Sequence, residues 1–152
     1  MKAIRNSVFE TNSSSIHSLS ILNLKGIERP KGQILIVIPQ EYGRRYDKLT
    51  TPEEKISYLF SLIASYSGFY WYSEEEGIEF TDEEFFSLPD VQRIFEAVSK
   101  HDSKIIFKRG ADGFGHVDHQ SVISMEELLD YNEIDLEDFI FNDKYQIIID
   151  SD

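Results

Sequence analysis

The sequence predicts a single α+β domain, with a mixed or antiparallel sheet of about five strands packed against two main helices and shorter helical turns. Three observations lead there. Aliphatic and β-branched residues recur in runs of strand length. Capping signatures open several segments whose apolar residues repeat at helical spacing. No Gly-, Ser- or Pro-rich linker divides the 152 residues, and an apolar content of 41 % suffices for one core.

Taken in chain order, Ile16-His17-Ser18-Leu19-Ser20-Ile21 alternates with period 2, the pattern of a half-buried strand. Gln33-Ile34-Leu35-Ile36-Val37-Ile38 is unbroken aliphatic sequence ended by Pro39, which predicts a central strand buried on both faces. Thr51-Pro52-Glu53-Glu54 places Thr at an N-cap, Pro at the first helical position and Glu at N3. Ile56, Leu59, Phe60, Ile63 and Ala64 then form one apolar stripe, and Gly68 ends the helix. The aromatic run Phe69-Tyr70-Trp71-Tyr72 reads as core or strand. Thr81 with Glu84 repeats the capping pattern for a short turn. Pro89 opens a second full helix that buries Val91, Ile94, Phe95 and Val98. Lys104-Ile105-Ile106-Phe107-Lys108 is a strand. Val117 to Ile123 is a weaker one, expected to pair with 104–108 across a Gly-rich link. Ser124 with Glu127 and then Asp135 cap two short helical segments, and Tyr145-Gln146-Ile147-Ile148-Ile149 closes the sheet.

Charge excludes one class of function. The net charge is −13, with 15 basic and 28 acidic residues. Direct nucleic-acid binding is a poor reading, because phosphate contacts need clustered cations. The charge is also uneven: residues 1–50 carry net +4, and residues 51–152 carry net −17. Such a block attracts basic protein surfaces, although acids in first helical turns also suit the helix dipole. No cysteine is present, which removes disulfides, thiolate zinc and a Cys nucleophile. No apolar h-region or run of about 18 apolar residues is seen, so a cytoplasmic protein without a membrane span is expected.

Parity along the strands singles out two histidines. His17 shares a strand face with Leu19 and Ile21, and His119 would share one with Val117 and Ile123. Two inward imidazoles need partners. Local hydrogen bonds would supply them; so would a metal. Without thiolates, zinc would take imidazole nitrogen and carboxylate oxygen, and Asp118 and His116 lie beside His119. His101, at the C-terminal end of a helix, reads as structural.

The opening Arg5…Phe9-Glu10-Thr11-Asn12-Ser13-Ser14-Ser15-x-His17-Ser18 resembles a signature at the start of small phage and prophage proteins. Some of these also carry Asp-His-Gln-Ser, matched here by Asp118-His119-Gln120-Ser121. His116 is outside that pattern. The two matches imply one site assembled from both segments: zinc held by His17, Asp118 and His119, with Glu10 or His116 as fourth ligand. By analogy with small acidic phage inhibitors, anti-CRISPR proteins among them, the resemblance implies an inhibitory binding protein acting in the host bacterial cytoplasm. Its partner would be a bacterial defence nuclease, such as a type II CRISPR effector, or another protein with a basic surface. The alternative is a small metal-dependent or acid–base enzyme acting on a phosphorylated or nucleotide substrate, with Glu10 or a histidine as base.

Overall fold

The structure is a computed structural model describing residues 3–10, 15–22, 28–69, 81–110, 113–117 and 123–151, with the backbone alone at 3–10, 15 and 151. Its strands are β1 (Ala3–Glu10), β2 (Ser15–Leu22), β3 (Ile34–Val37), β4 (Glu41–Tyr42), β5 (Asp47–Leu49), β6 (Lys104–Phe107), β7 (His116–Val117) and β8 (Tyr145–Ser151). Its helices are α1 (Pro52–Ser67), α2 (Asp82–Phe86), α3 (Pro89–Lys100), α4 (Met125–Leu129), continued by a 3-10 turn over Asp130–Asn132, and α5 (Leu136–Phe141). The α+β class is as expected, in one compact domain.

The strands divide into three small sheets. An antiparallel sheet runs in the order β1-β2-β8-β5. The C-terminal strand β8 lies inside it, pairing Leu19 with Ile147 on one side and Leu49 with Ile147 on the other. β3 pairs with β6 in parallel, and β4 with β7 in parallel. Of the expected strand from Val117 to Ile123, only Val117 falls in a described strand, β7, where it pairs with Tyr42 of β4. Residues 118–122 and the aromatics at 70–72 lie outside the described residues.

The reading of residues 33–38 as a strand buried on both faces is corrected. Leu35 and Val37 point into the core, but Ile34, Ile36 and Ile38 are 61 %, 49 % and 42 % exposed. β3 pairs only with β6 in its two-stranded sheet, and its buried residues alternate with exposed ones. A continuous aliphatic run cannot reveal this, because both faces look alike in sequence.

Helix starts follow local chemistry. Thr51, Thr81 and Ser124 each accept from the N3 backbone N–H while the N3 glutamate reaches back, a full capping box in all three cases. Asp135 accepts from Asp138 N at 3.1 Å. Gly68, at φ 81°, ends α1 in the left-handed region. α1 is buried well beyond its predicted stripe, from Lys55 through Ala64. Its serines serve the irregular backbone around Pro39: Ser57 Oγ donates to Ile38 O at 2.9 Å and Ser61 Oγ to Gln40 O at 2.8 Å. Ser65 Oγ accepts from Val117 N at 2.8 Å. At the far end of the core, Phe85 stacks on Phe114 with ring centres 4.6 Å apart, and Phe60 meets Phe85 edge-on.

Candidate metal centre

The sequence-derived residues fare differently. His17 lies on β2, opposite Phe9 of β1 and Ile149 of β8, and is fully buried. Its Nδ1 lies 2.9 Å from the Tyr58 hydroxyl on α1, which engages that nitrogen in a hydrogen bond. Burial raises the Tyr58 pKa, so the phenol keeps its proton. His17 is buried with a hydroxyl partner, but the expected half-buried strand is corrected: Ser18 and Ser20, on the opposite face of β2, are buried as fully as His17 and Leu19. His116 sits half-buried on β7 beside Glu41. Glu10 ends β1, paired with Ile16, and its backbone alone is described. Asp118 and His119 lie outside the described residues.

Among the described residues, the three-donor group that converges is a different one: Glu28, His101 and Glu137, whose ligand atoms lie within 4.8 Å of one another. It could hold a metal ion. His101 is the C-cap of α3, where the helix ends and the chain turns through Asp102 at φ 52° into β6. Glu137 lies in the first turn of α5. Glu28 follows the antiparallel sheet's hairpin and forms an isolated bridge with Asn142, just past α5. Arg29 N donates to Phe141 O at 2.7 Å, and Arg29 Nε bonds Asp143 Oδ1 at 3.0 Å. Those bonds fix the Glu28–Arg29 backbone against α5.

The His101 ring is tightly oriented. It stacks on Phe141 with centroids 3.7 Å apart and planes 12° from parallel, and it is 1 % exposed. Nε2 lies 2.8 Å from the Arg29 carbonyl oxygen, which can only accept, so Nε2 carries a proton. Nδ1 then faces Glu137 Oε2 at 3.1 Å and Glu28 Oε1 at 4.0 Å. Glu28 is 64 % exposed and Glu137 30 %, so the group opens towards solvent on its carboxylate side.

Glu137 also borders a cleft of about 260 Å³ lined by Arg93, Glu96, Lys100, Asp130 and Asp135. Its cations are engaged: Arg93 makes a paired contact with both Asp130 oxygens at 3.0 and 2.9 Å, and Lys100 lies 3.7 Å from Glu96. Glu126, Glu127 and Glu133, with Asp135 of the cleft, are exposed along α4 and the entry to α5. Among the described residues no helix is long and apolar enough to cross a membrane.

Sequence reasoning missed Glu28 and Glu137 as ligands and read His101 only as a helix-end cation. No linear spacing marks the group, because its members come from three separate elements. No protein-family model, curated protein or solved structure matches the chain.

Proposed function

We propose that this chain is a phage-type, anti-CRISPR-like inhibitory binding protein. Its acidic surface binds a nucleic-acid-handling bacterial defence protein, such as a type II CRISPR effector nuclease, in the host cytoplasm. Such effectors hold nucleic acid in positively charged channels. Carboxylates seated in or beside that channel hinder DNA loading without the chain touching nucleic acid itself. The observation that carries the reading is the exposed acidic edge formed by Glu126, Glu127, Glu133 and Asp135. The likeness of the N-terminal segment and of Asp118-His119-Gln120-Ser121 to phage proteins supports it. The reading includes zinc in a structural role, as suits a chain with histidines and carboxylates but no thiolates.

The test mixes the purified chain with an effector–guide complex. Co-elution and loss of target-DNA binding are expected, both weakening as salt rises. The triple variant Glu126→Lys, Glu127→Lys, Glu133→Lys should lose inhibition. Unaffected DNA binding and cleavage by the effector, with no co-elution, would exclude this partner.

The enzyme reading stands second. A three-donor metal group leaves coordination positions open for substrate or water, which favours it. Against it, the adjoining cleft is smaller than the roughly 300–1,000 Å³ of ordinary small-molecule sites, and its two cations are already paired.

A further inference from the structure

We infer that Glu28, His101 and Glu137 bind one zinc-class divalent ion through Glu28 Oε1, His101 Nδ1 and Glu137 Oε2, with the remaining positions taken by water. The inference goes beyond the inhibitor reading and does not depend on it. It also places the ion away from the set that the sequence motifs suggest.

Four observations meet here. The first is the tautomer. With Nε2–H donating to the Arg29 carbonyl at 2.8 Å, His101 aims Nδ1 at two carboxylates, so that a positive species, a proton or a metal ion, belongs between them. A backbone carbonyl on the far nitrogen is also the usual outer-shell partner of a metal-bound histidine. The second is distance. Ligand atoms about 2.0–2.2 Å from a tetrahedral ion lie roughly 3.3–3.6 Å from one another. The 3.1 and 4.0 Å separations bracket that range, and the longer one involves the exposed Glu28 side chain, which is able to adjust. The third is rigidity. The imidazole is 1 % exposed and held face-on by Phe141, so little ordering remains to be done when an ion arrives. The fourth is charge. Two carboxylates share this site in a chain of net −13, and the guanidinium of Arg29, the residue after Glu28, is bonded to Asp143.

The donor set decides the metal class. One imidazole and two carboxylates suit zinc, whereas calcium and magnesium prefer all-oxygen shells of six or more. Bound there, the ion ties the 28–29 segment to the end of α3 and the start of α5, three pieces of chain that lie far apart in sequence.

The test uses the full chain purified without a His tag, stripped with chelator and titrated with zinc chloride by calorimetry. One equivalent is expected to bind, with a rise in melting temperature and a large shift of the His101 Nδ1 nitrogen resonance. Magnesium chloride should do none of these. Glu28→Gln alters only an exposed side chain and should weaken zinc at least tenfold while leaving the apo melting temperature unchanged. His101→Gln should abolish binding. His17→Ala should leave it intact. The inference is overturned if zinc fails to bind, or if Nδ1 stays protonated through the titration, as a simple imidazolium–carboxylate pair requires. It is equally overturned if binding survives Glu28→Gln and His101→Gln unchanged but disappears with His17→Ala.

Discussion

Lys55 offers the most direct check on how this core is held together. It is a fully buried lysine in the first turn of α1, and its Nζ donates to the carbonyls of Phe139, Asn142 (3.1 Å) and Tyr145 (3.2 Å). Those are backbone acceptors where α5 ends and β8 begins, groups that a helix leaves unsatisfied. Burial pulls the Lys55 pKa from 10.5 down to about 7, with the Asp143 carboxylate working in the opposite direction. The sign of the linkage follows. Between about pH 7 and 10.5 the unfolded chain holds a proton that the folded chain has released, so stability rises with pH in that window. The rise is at most about 1.4 kcal/mol per pH unit, or roughly 5 kcal/mol across it. The three carbonyls favour the charged amine and so hold the folded pKa up; their effect is already contained in that pKa and is not subtracted again.

Lys55→Met removes the titration and the Nζ donor to the three carbonyls, of which that of Asn142 still accepts from Tyr145 N at 3.2 Å. Near pH 7 the lost bonds and the relieved desolvation are of similar size, so the variant should lie within a few kcal/mol of the parent. From pH 7 to 9.5 the parent should gain stability and the variant should not. Urea unfolding at intervals of half a pH unit reads this directly. Parallel curves for the two proteins would refute the argument, because the rise would then come from other groups.

Three further outcomes are expected. Gly115→Ala should destabilise by more than about 3 kcal/mol, since φ is 97° and a Cβ there would sit 2.1 Å from Ser61 Oγ; Gly68→Ala, at φ 81° with nothing within 4 Å, should cost only about 1 kcal/mol by thermal melting. Tyr58→Phe should cost about 1–3 kcal/mol by removing the hydroxyl partner of buried His17, and its urea midpoint should fall accordingly. Above pH 10 stability should decline, because burial holds the Tyr42 phenol up at about 12, and raises Tyr58 and Tyr145 too, while the unfolded chain ionises near 10; Tyr42→Phe should reduce the slope of that decline in the same urea series.

What was legible in the sequence was local. Thr51, Thr81, Ser124 and Asp135 announce helix starts because a cap is a contract among four adjacent residues. His17 is buried together with Leu19, as their shared face suggests, but Ser18 and Ser20 on the other face are buried too, which the alternation does not reveal. What stayed hidden depends on which elements meet. Strand β1 runs through Arg5-Asn6-Ser7, where no hydrophobic alternation marks a strand, and it forms by pairing with β2 through an irregularity between Arg5 and Ser7. The exposed face of β3 is set by how few strands flank it, a property of topology. His101 carried a helix-end signal, but its two carboxylate neighbours reach it only after α3, α5 and the 28–29 segment have packed.

The buried polar residues of this fold therefore sort by what they face. Three small sheets in place of one leave strand ends and loop carbonyls inside the molecule, and each must find a donor or acceptor. α1 supplies them from one buried helix: Lys55 to the end of α5, Ser57 and Ser61 to the backbone flanking Pro39, Ser65 to Val117. These residues answer backbone groups, so their burial is explained by the architecture and calls for no ligand. His101 differs. Its Nε2 answers a backbone carbonyl, and its Nδ1 faces two carboxylates that the architecture does not otherwise neutralise. Two carboxylates around a rigid, buried nitrogen call for a positive species at Nδ1, either a proton or a metal ion, and the zinc titration distinguishes the two.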